Sequence, residues 1–188
     1  MNALHRWYCR TDHWRRIVQR QLLPWVLDAT DLGARALEIG PGPGLTTDVL
    51  RTRVPALTAL EIDPQLAAAL RARTAGGNVA VVTGDATAMP FPDAAFSGAV
   101  SCTMLHHVPS APLQDRLLAE TRRVLEPGAW FVGSDSTPSL LFRLAHVFDT
   151  MVLVDPGGFA ARLEAAGFTA VDVCRGSGAF RFRARAPF

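Results

Sequence analysis

Glu38-Ile39-Gly40-Pro41-Gly42-Pro43-Gly44-Leu45-Thr46 is the stretch on which the reading of the fold turns. Before it, Arg35-Ala36-Leu37-Glu38-Ile39 has the short apolar character of a buried strand, and after it Leu45 to Arg53 has the pattern of a helix. Glycines at 40, 42 and 44 let the backbone turn sharply and approach a ligand closely, because no Cβ stands in the way. The helix that follows aims its N-terminal amides at the same place, where they favour a carboxylate or phosphate. Such a loop belongs at the carboxyl end of a strand, where open α/β sheets bind their ligands.

The alternation continues on both sides. Ala56 to Ile62 reads as a second strand, and Pro64 opens a helix running to Arg73. Gly76-Gly77-Asn78 turns into a third strand, Val79 to Val82. Phe96 to Cys102 is a fourth, Leu113 to Leu125 a helix, and Ala129 to Ser134 a fifth strand. Strands alternating with helices predict a parallel sheet covered on both faces. The C-terminal part differs. A helix from Phe159 to Ala166 stops at Gly167, and two strands follow, Phe168 to Cys174 and Phe180 to Ala186. Arg175 to Ala179 is far too short for a parallel crossover, so these strands form an antiparallel hairpin. Phe180, Phe182, Ala184 and Ala186 alternate with Arg181, Arg183 and Arg185, which buries one face of the last strand. The expected architecture is a doubly wound, Rossmann-like α/β fold with a seven-stranded sheet, five strands parallel and the hairpin antiparallel. Upstream, Trp14, Ile17, Val18, Gln21 and Leu22 fall near helical spacing, and Pro24 is expected to break or restart the helix. Residues 1–31 read as an N-terminal helical cap on a ligand-binding domain at 32–188, one domain overall.

Composition bounds the function classes. A chain of 188 residues with 49% hydrophobic and 19% charged content builds a sizeable core and is not disordered. No apolar run approaches the roughly 20 residues that span a bilayer. Met1 to Trp7 lacks the apolar stretch of a secretory signal, so a cytoplasmic protein is expected. Cys9, Cys102 and Cys174 are odd in number and form no C-x-x-C pair, which suits a reducing compartment and predicts no metal. A net charge of +2 is too small to imply a polyanionic partner. All of the basic residues are arginine, with no lysine, a mark of genomic composition rather than of function. Arg6, Arg10, Arg15, Arg16 and Arg20 face only Asp12; they read as a solvated helix face, with a contact for anionic substrate or lipid as the alternative.

Three acids identify the ligand of the loop. A dinucleotide fingerprint needs glycine or alanine three residues after its second glycine, and here Leu45 or Thr47 stands there, depending on the frame. Glu38, two residues before the loop, has no use in a dinucleotide site but balances the ammonium of a sulfonium amino acid. Glu61 ends the second strand, seventeen residues past Gly44, where a carboxylate can accept both ribose hydroxyls. Ile62 beside it offers an apolar face to adenine. Asp85, in Gly84-Asp85-Ala86 after the third strand, is placed to accept from the adenine amino group. Each acid alone is an ordinary cap or surface charge; three at successive strand ends make a cofactor site for S-adenosylmethionine (SAM).

From Leu32 to Phe188 these features resemble the class I SAM-dependent methyltransferases. Glu38-x-Gly40-x-Gly42-x-Gly44 is similar to the first motif of that family, Glu61 to its ribose acid, and Gly84-Asp85-Ala86 to its adenine motif. Met89 to Phe96 and Leu105-His106-His107-Val108 resemble the small-molecule branch of methyltransferase domains 11 and 25, which includes quinone C-methyltransferases. Leu125-Glu126-Pro127-Gly128-Ala129 resembles the segment that leads that branch into its fifth strand. Ser97 stands where the branch usually has aspartate. The resemblance implies methyl transfer from SAM to the oxygen, nitrogen or carbon of a small natural-product or quinone-like acceptor, with Gly40, Pro41, Gly42, Gly44, Glu61, Ile62, Asp85, Ala86 and Cys102 around the cofactor.

His106 and His107 follow the fourth strand at the cofactor edge. Either can serve as a general base, since imidazole titrates near neutrality; the alternative is that His106 packs near the cofactor and His107 caps the next loop. Cys102 reads as a small buried hydrophobe. Trp7, Tyr8 and Trp14, with Phe142 and His146, are candidates for an apolar acceptor pocket, with ordinary core as the alternative. Two rivals remain. Glu38 to Gly42 followed by Leu60 to Asp63 also resembles the ribosomal RNA adenine dimethyltransferases. Those enzymes carry Asn-x-Pro-aromatic where this chain reads Ser101 to His106, and no basic domain is present to grip RNA. The second rival is a SAM-binding partner subunit without catalysis.

Overall fold

The computed structural model describes residues 11–137 and 151–188. A helical run opens the described chain: α1 (Asp12–Ile17), a π-helical turn (Val18–Leu22) and α2 (Leu23–Leu27). The order continues as β1 (Arg35–Ile39), α3 (Leu45–Leu50), β2 (Ala56–Glu61), α4 (Pro64–Thr74), β3 (Val79–Thr83) and β4 (Phe96–Cys102). A 3-10 turn (Leu105–His107) leads into α5 (Ala111–Val124) and β5 (Leu125–Ser136). The chain closes with α6 (Phe159–Ala165), β6 (Thr169–Arg175) and β7 (Ala179–Arg185).

The seven strands form one sheet in the order β3-β2-β1-β4-β5-β7-β6. β1 to β5 pair in parallel, while β7 lies antiparallel between β5 and β6, as the short connection requires. The chain winds one way from β1 to β3 and the other way from β4. β1 and β4 are therefore the switch point, and their carboxyl ends open the crevice where such sheets take ligands.

Strand alternation sorts the core into two layers. Leu37 and Ile39 of β1, Ala99 of β4 and Phe131 of β5 face α5, α6 and the inward face of β7. Ala36, Val100 and Val132, each one residue out of phase, face the opposite layer with Val18, Leu23, Val26 and Leu27. In the first layer Phe131, Phe159, Phe168, Phe180 and Phe182 stack edge-on or tilted, with ring centroids 4.9–6.4 Å apart. Phe180, Phe182, Ala184 and Ala186 are all buried, as their alternation with arginine predicts.

The element ends follow expectation at Pro24 and depart from it elsewhere, most at β5 and α3. Pro24 restarts the helix, one of the two outcomes expected of it. The chain passes from α1 through the π turn into α2, with Pro24 in its first turn, and the buried residues are Val18, Leu23, Val26 and Leu27 while Gln21 is exposed. β5 begins at Leu125 rather than Ala129, because a register shift between Phe96 and Gly98 lets Leu125 pair with Phe96 across the Pro127-Gly128 irregularity. α3 is a turn shorter than predicted, ending at Leu50 before Arg51 to Arg53 turn into β2.

Side chains fasten the loops. Arg123 holds both Glu120 oxygens (2.7 and 2.8 Å), Asp93 (2.8 Å) and the carbonyls of Phe91 (2.8 Å) and Met89 (3.1 Å), clamping the Met89–Phe96 connection to α5. The Ser97 hydroxyl accepts from the Arg35 N–H and donates to the Leu32 carbonyl, both at 2.8 Å, so it fixes the entry of β1 against β4. Ser97→Ala leaves both backbone groups without that partner and is expected to cost about 1–2 kcal/mol, read from urea unfolding. A loss below about 0.3 kcal/mol would show that this hydroxyl does not anchor β1.

Candidate active site

A cleft of about 400 Å³ lies at the carboxyl ends of β1 to β4. Its floor is the loop from Gly40 to Pro43. Gly40 adopts φ +67° and Gly44 φ +83°, and a Cβ at Gly40 would fall 2.2 Å from Met104 Cγ, one at Gly44 2.5 Å from Leu70. Positive φ and close approach together require glycine at both. Little of the loop's own backbone holds it. Gly40 N–H bonds Leu60 O (2.9 Å) and Gly44 N–H bonds Pro41 O (2.9 Å); the remaining ties come from side chains on neighbouring elements.

Glu38 is one of them. It is 2% exposed and lies beneath the loop, outside the cleft wall. It accepts from the hydroxyls of Thr46, and of Thr47 at 2.6 Å, at the start of α3. Burial pushes its carboxyl up to about 7 against the pull of those two hydroxyls, with Asp48 and Glu61 raising it further. Thr46, its partner, does face the cleft. From the other side Arg73 reaches over from α4 to the carbonyls of Pro43 (3.1 Å) and Gly44 (3.2 Å) and pairs with Asp48.

Glu61 lines the cleft at the end of β2. One carboxylate oxygen accepts from the Gly42 N–H and the other from the Asp63 N–H, both at 2.9 Å. Each oxygen keeps a further lone pair for a ligand hydroxyl. Ile62 beside it is 66% exposed, a large apolar side chain open to the cleft. Asp85 and Ala86 line the next edge, with Asp85 Oδ1 accepting from the Thr87 N–H at 2.8 Å. Thus Gly40, Pro41, Gly42, Glu61, Ile62, Asp85, Ala86 and Cys102 come together around one cavity, while Gly44 and Glu38 shape it from behind. Burial pushes the Cys102 thiol pKa up, which keeps it protonated and poorly nucleophilic.

The two histidines part company. His107 faces the cleft, whereas His106 is 1% exposed and stands behind the wall. His106 Nδ1 lies 2.5 Å from Asp135 Oδ1, and its backbone N–H donates to Asp135 Oδ2 at 3.1 Å. The two imidazole rings are in contact, centroids 4.2 Å apart and tilted by 43°. Gln114 adds bonds to the carbonyls of Leu105 (3.1 Å) and Val152 (2.8 Å), and His106 O accepts from the Val152 N–H (2.8 Å). Trp14 lines the cleft, joined by Val18 and Leu22, which the sequence had not marked as pocket residues. Trp7, Tyr8, Phe142 and His146 lie outside the described residues.

Comparison with known proteins agrees with this geometry. The methyltransferase domain family matches residues 37–133. The chain is 33% identical to a probable ribosomal RNA small subunit methyltransferase A of Methanothermobacter thermautotrophicus, over 80% of this chain and 63% of that protein. It is 30% identical to a ubiquinone/menaquinone biosynthesis C-methyltransferase of Methylobacterium nodulans, over 75% of this chain and 62% of that one. It therefore spans less than two thirds of either relative's length. A SAM dependent methyltransferase from Aquifex aeolicus has the same fold, with a TM-score of 0.77 at 18% identity over 99% of each chain.

The raised Glu38 carboxyl has a signed consequence. Its folded-state value, about 7, lies above the ordinary 4.5, so between these values the folded state binds more protons than the unfolded chain. The contribution to stability is full below the lower value and is lost as pH rises through the higher one. Urea unfolding of the parent is expected to show that loss between about pH 5 and about pH 8, and Glu38→Gln to lack it. An equal pH dependence in both proteins would contradict the assignment.

Proposed function

The chain belongs to the methyltransferase domain family, whose methyl donor is SAM, and from that premise we propose that it methylates a small-molecule acceptor. One observation carries the reading: a single cleft joins the glycine loop and the strand-end acids to an apolar wall made by the helical run. No helix among the described residues is long and apolar enough to cross a membrane.

In this reading the Glu61 carboxylate takes the ribose hydroxyls, since the Gly42 and Asp63 amides already fix its plane. Ile62 lies along adenine, and Asp85 accepts from the adenine amino group with the oxygen that the Thr87 amide leaves free. The Thr46 hydroxyl oxygen accepts from the ammonium while its O–H donates to Glu38 behind it. Bound SAM supplies an electrophilic methyl on a sulfonium, whose thioether leaves without a proton. The chain has then to hold the acceptor in line and exclude water, and positioning alone supplies effective molarities of about 10⁵–10⁸ M. His107 is the cleft-side base for a hydroxyl acceptor; the His106–Asp135 pair stands behind it and touches no ligand.

A relative named as a ribosomal RNA methyltransferase favours a second reading, adenine methylation in RNA. Against it, no arginine of the described residues lines the cleft, although phosphate contacts dominate affinity for nucleic acid. Tritiated-methyl SAM added with the protein to fractionated cell extract separates the two. Label in the organic-extractable small-molecule fraction is expected; label confined to RNA would replace this proposal with the second reading, and a chain that binds SAM but labels nothing would be a partner subunit. In calorimetry Glu61→Ala is expected to weaken SAM binding about tenfold or more, and parent-like affinity would remove Glu61 from the ribose site.

A further inference from the structure

The wall formed by the helical run does more than close the cleft. Trp14, Val18 and Leu22 all line it, four residues apart in sequence. In an α-helix of 3.6 residues per turn, each four-residue step overshoots by about 40°, so a pure α-helix would swing Leu22 well away from Trp14. Here the second step falls in the π turn, where the Leu23 N–H bonds the Val18 carbonyl five residues back. A π turn takes more residues than an α turn, so this step undershoots and cancels the drift. Pro24 accounts for the turn: it has no N–H for the carbonyl of Arg20, and its ring would crowd that carbonyl in an unbroken α-helix. Beyond the turn Leu23, Val26 and Leu27 point into the core. Arg15, Arg16 and Arg20 are exposed, and Arg15 lies 3.9 Å from Asp12.

The cleft is therefore electrostatically two-sided. Glu61, Asp63 and Asp85 line the strand-end side, whereas the helical run contributes only indole and aliphatic carbon. We infer that Trp14 and Leu22, brought to one face by the π turn with the buried Val18 between them, determine acceptor specificity, and that the acceptor carries an uncharged alkyl or aryl arm lying along them. The inference rests on the methyl-transfer reading, and names the class of acceptor for that site.

The test is calorimetric titration of the full chain with 4-n-alkylphenols from ethyl to octyl, with and without S-adenosylhomocysteine. Affinity is expected to rise about fourfold per added methylene until the arm outruns the wall. Trp14→Ala and Leu22→Ala each remove the rise over a different part of the series, because the two side chains meet successive parts of one arm. Leu22→Val, a milder change, gives a smaller loss in the same part and covers the case in which Leu22→Ala does not fold. The inference is overturned if the parent shows no gradient, or if folded Trp14 or Leu22 variants keep the parent gradient. Failure of the parent to bind S-adenosylhomocysteine while the gradient persists counts against the methyl-transfer reading and not against the apolar wall.

Discussion

The site depends on one buried carboxylate. Glu38 sits near the end of β1 with its oxygens held by the Thr46 and Thr47 hydroxyls, and so ties the strand before the glycine loop to the helix after it. Three loop residues adopt positive φ, and a loop of that kind supplies few backbone bonds of its own. Its shape is imposed by Glu38 from below, Glu61 from β2 and Arg73 from α4. Desolvation of Glu38, visible in the upward displacement of its carboxyl, is the cost of holding a flexible loop in one conformation.

The order and direction of the strands were legible because each is written in local pattern: apolar runs between glycine or proline boundaries, and a hairpin too short to cross over. The cofactor side was legible for the same reason, since its residues follow strand ends in register along the chain. Glu38 was read as a direct partner of the ligand; its side chain is buried behind the cleft wall on the Thr46 and Thr47 hydroxyls, a placement that no local pattern announces. The π turn was not legible. Trp14, Val18 and Leu22 satisfy an α pattern loosely, and only the bond from Leu23 to Val18 distinguishes the two. Asp135 carried no signal either, since its partner His106 lies 29 residues away and nothing local announces a pairing across adjacent parallel strands.

Ser97 and the His106–Asp135 pair show how the sheet transmits order to the cleft from opposite ends of β4. At the amino end Ser97 takes up a backbone donor and a backbone acceptor at the entry of β1, so a hydroxyl does at short range what a longer carboxylate could do only for the donor. At the carboxyl end Asp135 of the neighbouring strand holds both the ring and the backbone of His106. The 3-10 turn is thereby fixed, and with it the ring of His107 in the cleft wall. The His106 ring, held by Asp135, lies against the ring of His107.

The two sides of the cleft then follow from where polar groups can be satisfied. Strand ends present unpaired amides and carbonyls, so acids and threonines gather there and leave lone pairs for a polar, cationic cofactor. The helical run meets most of its backbone needs within itself, and its apolar side chains Trp14 and Leu22 can face the cavity without placing an unmet polar group there. An anionic acceptor arm would find carboxylates opposite it and carbon beside it, with no arginine of the described residues lining the cleft. An uncharged arm removes apolar surface from water on the helical side and leaves the strand-end acids to the cofactor. The same division that makes the loop receptive to a sulfonium therefore makes the opposite wall receptive to carbon.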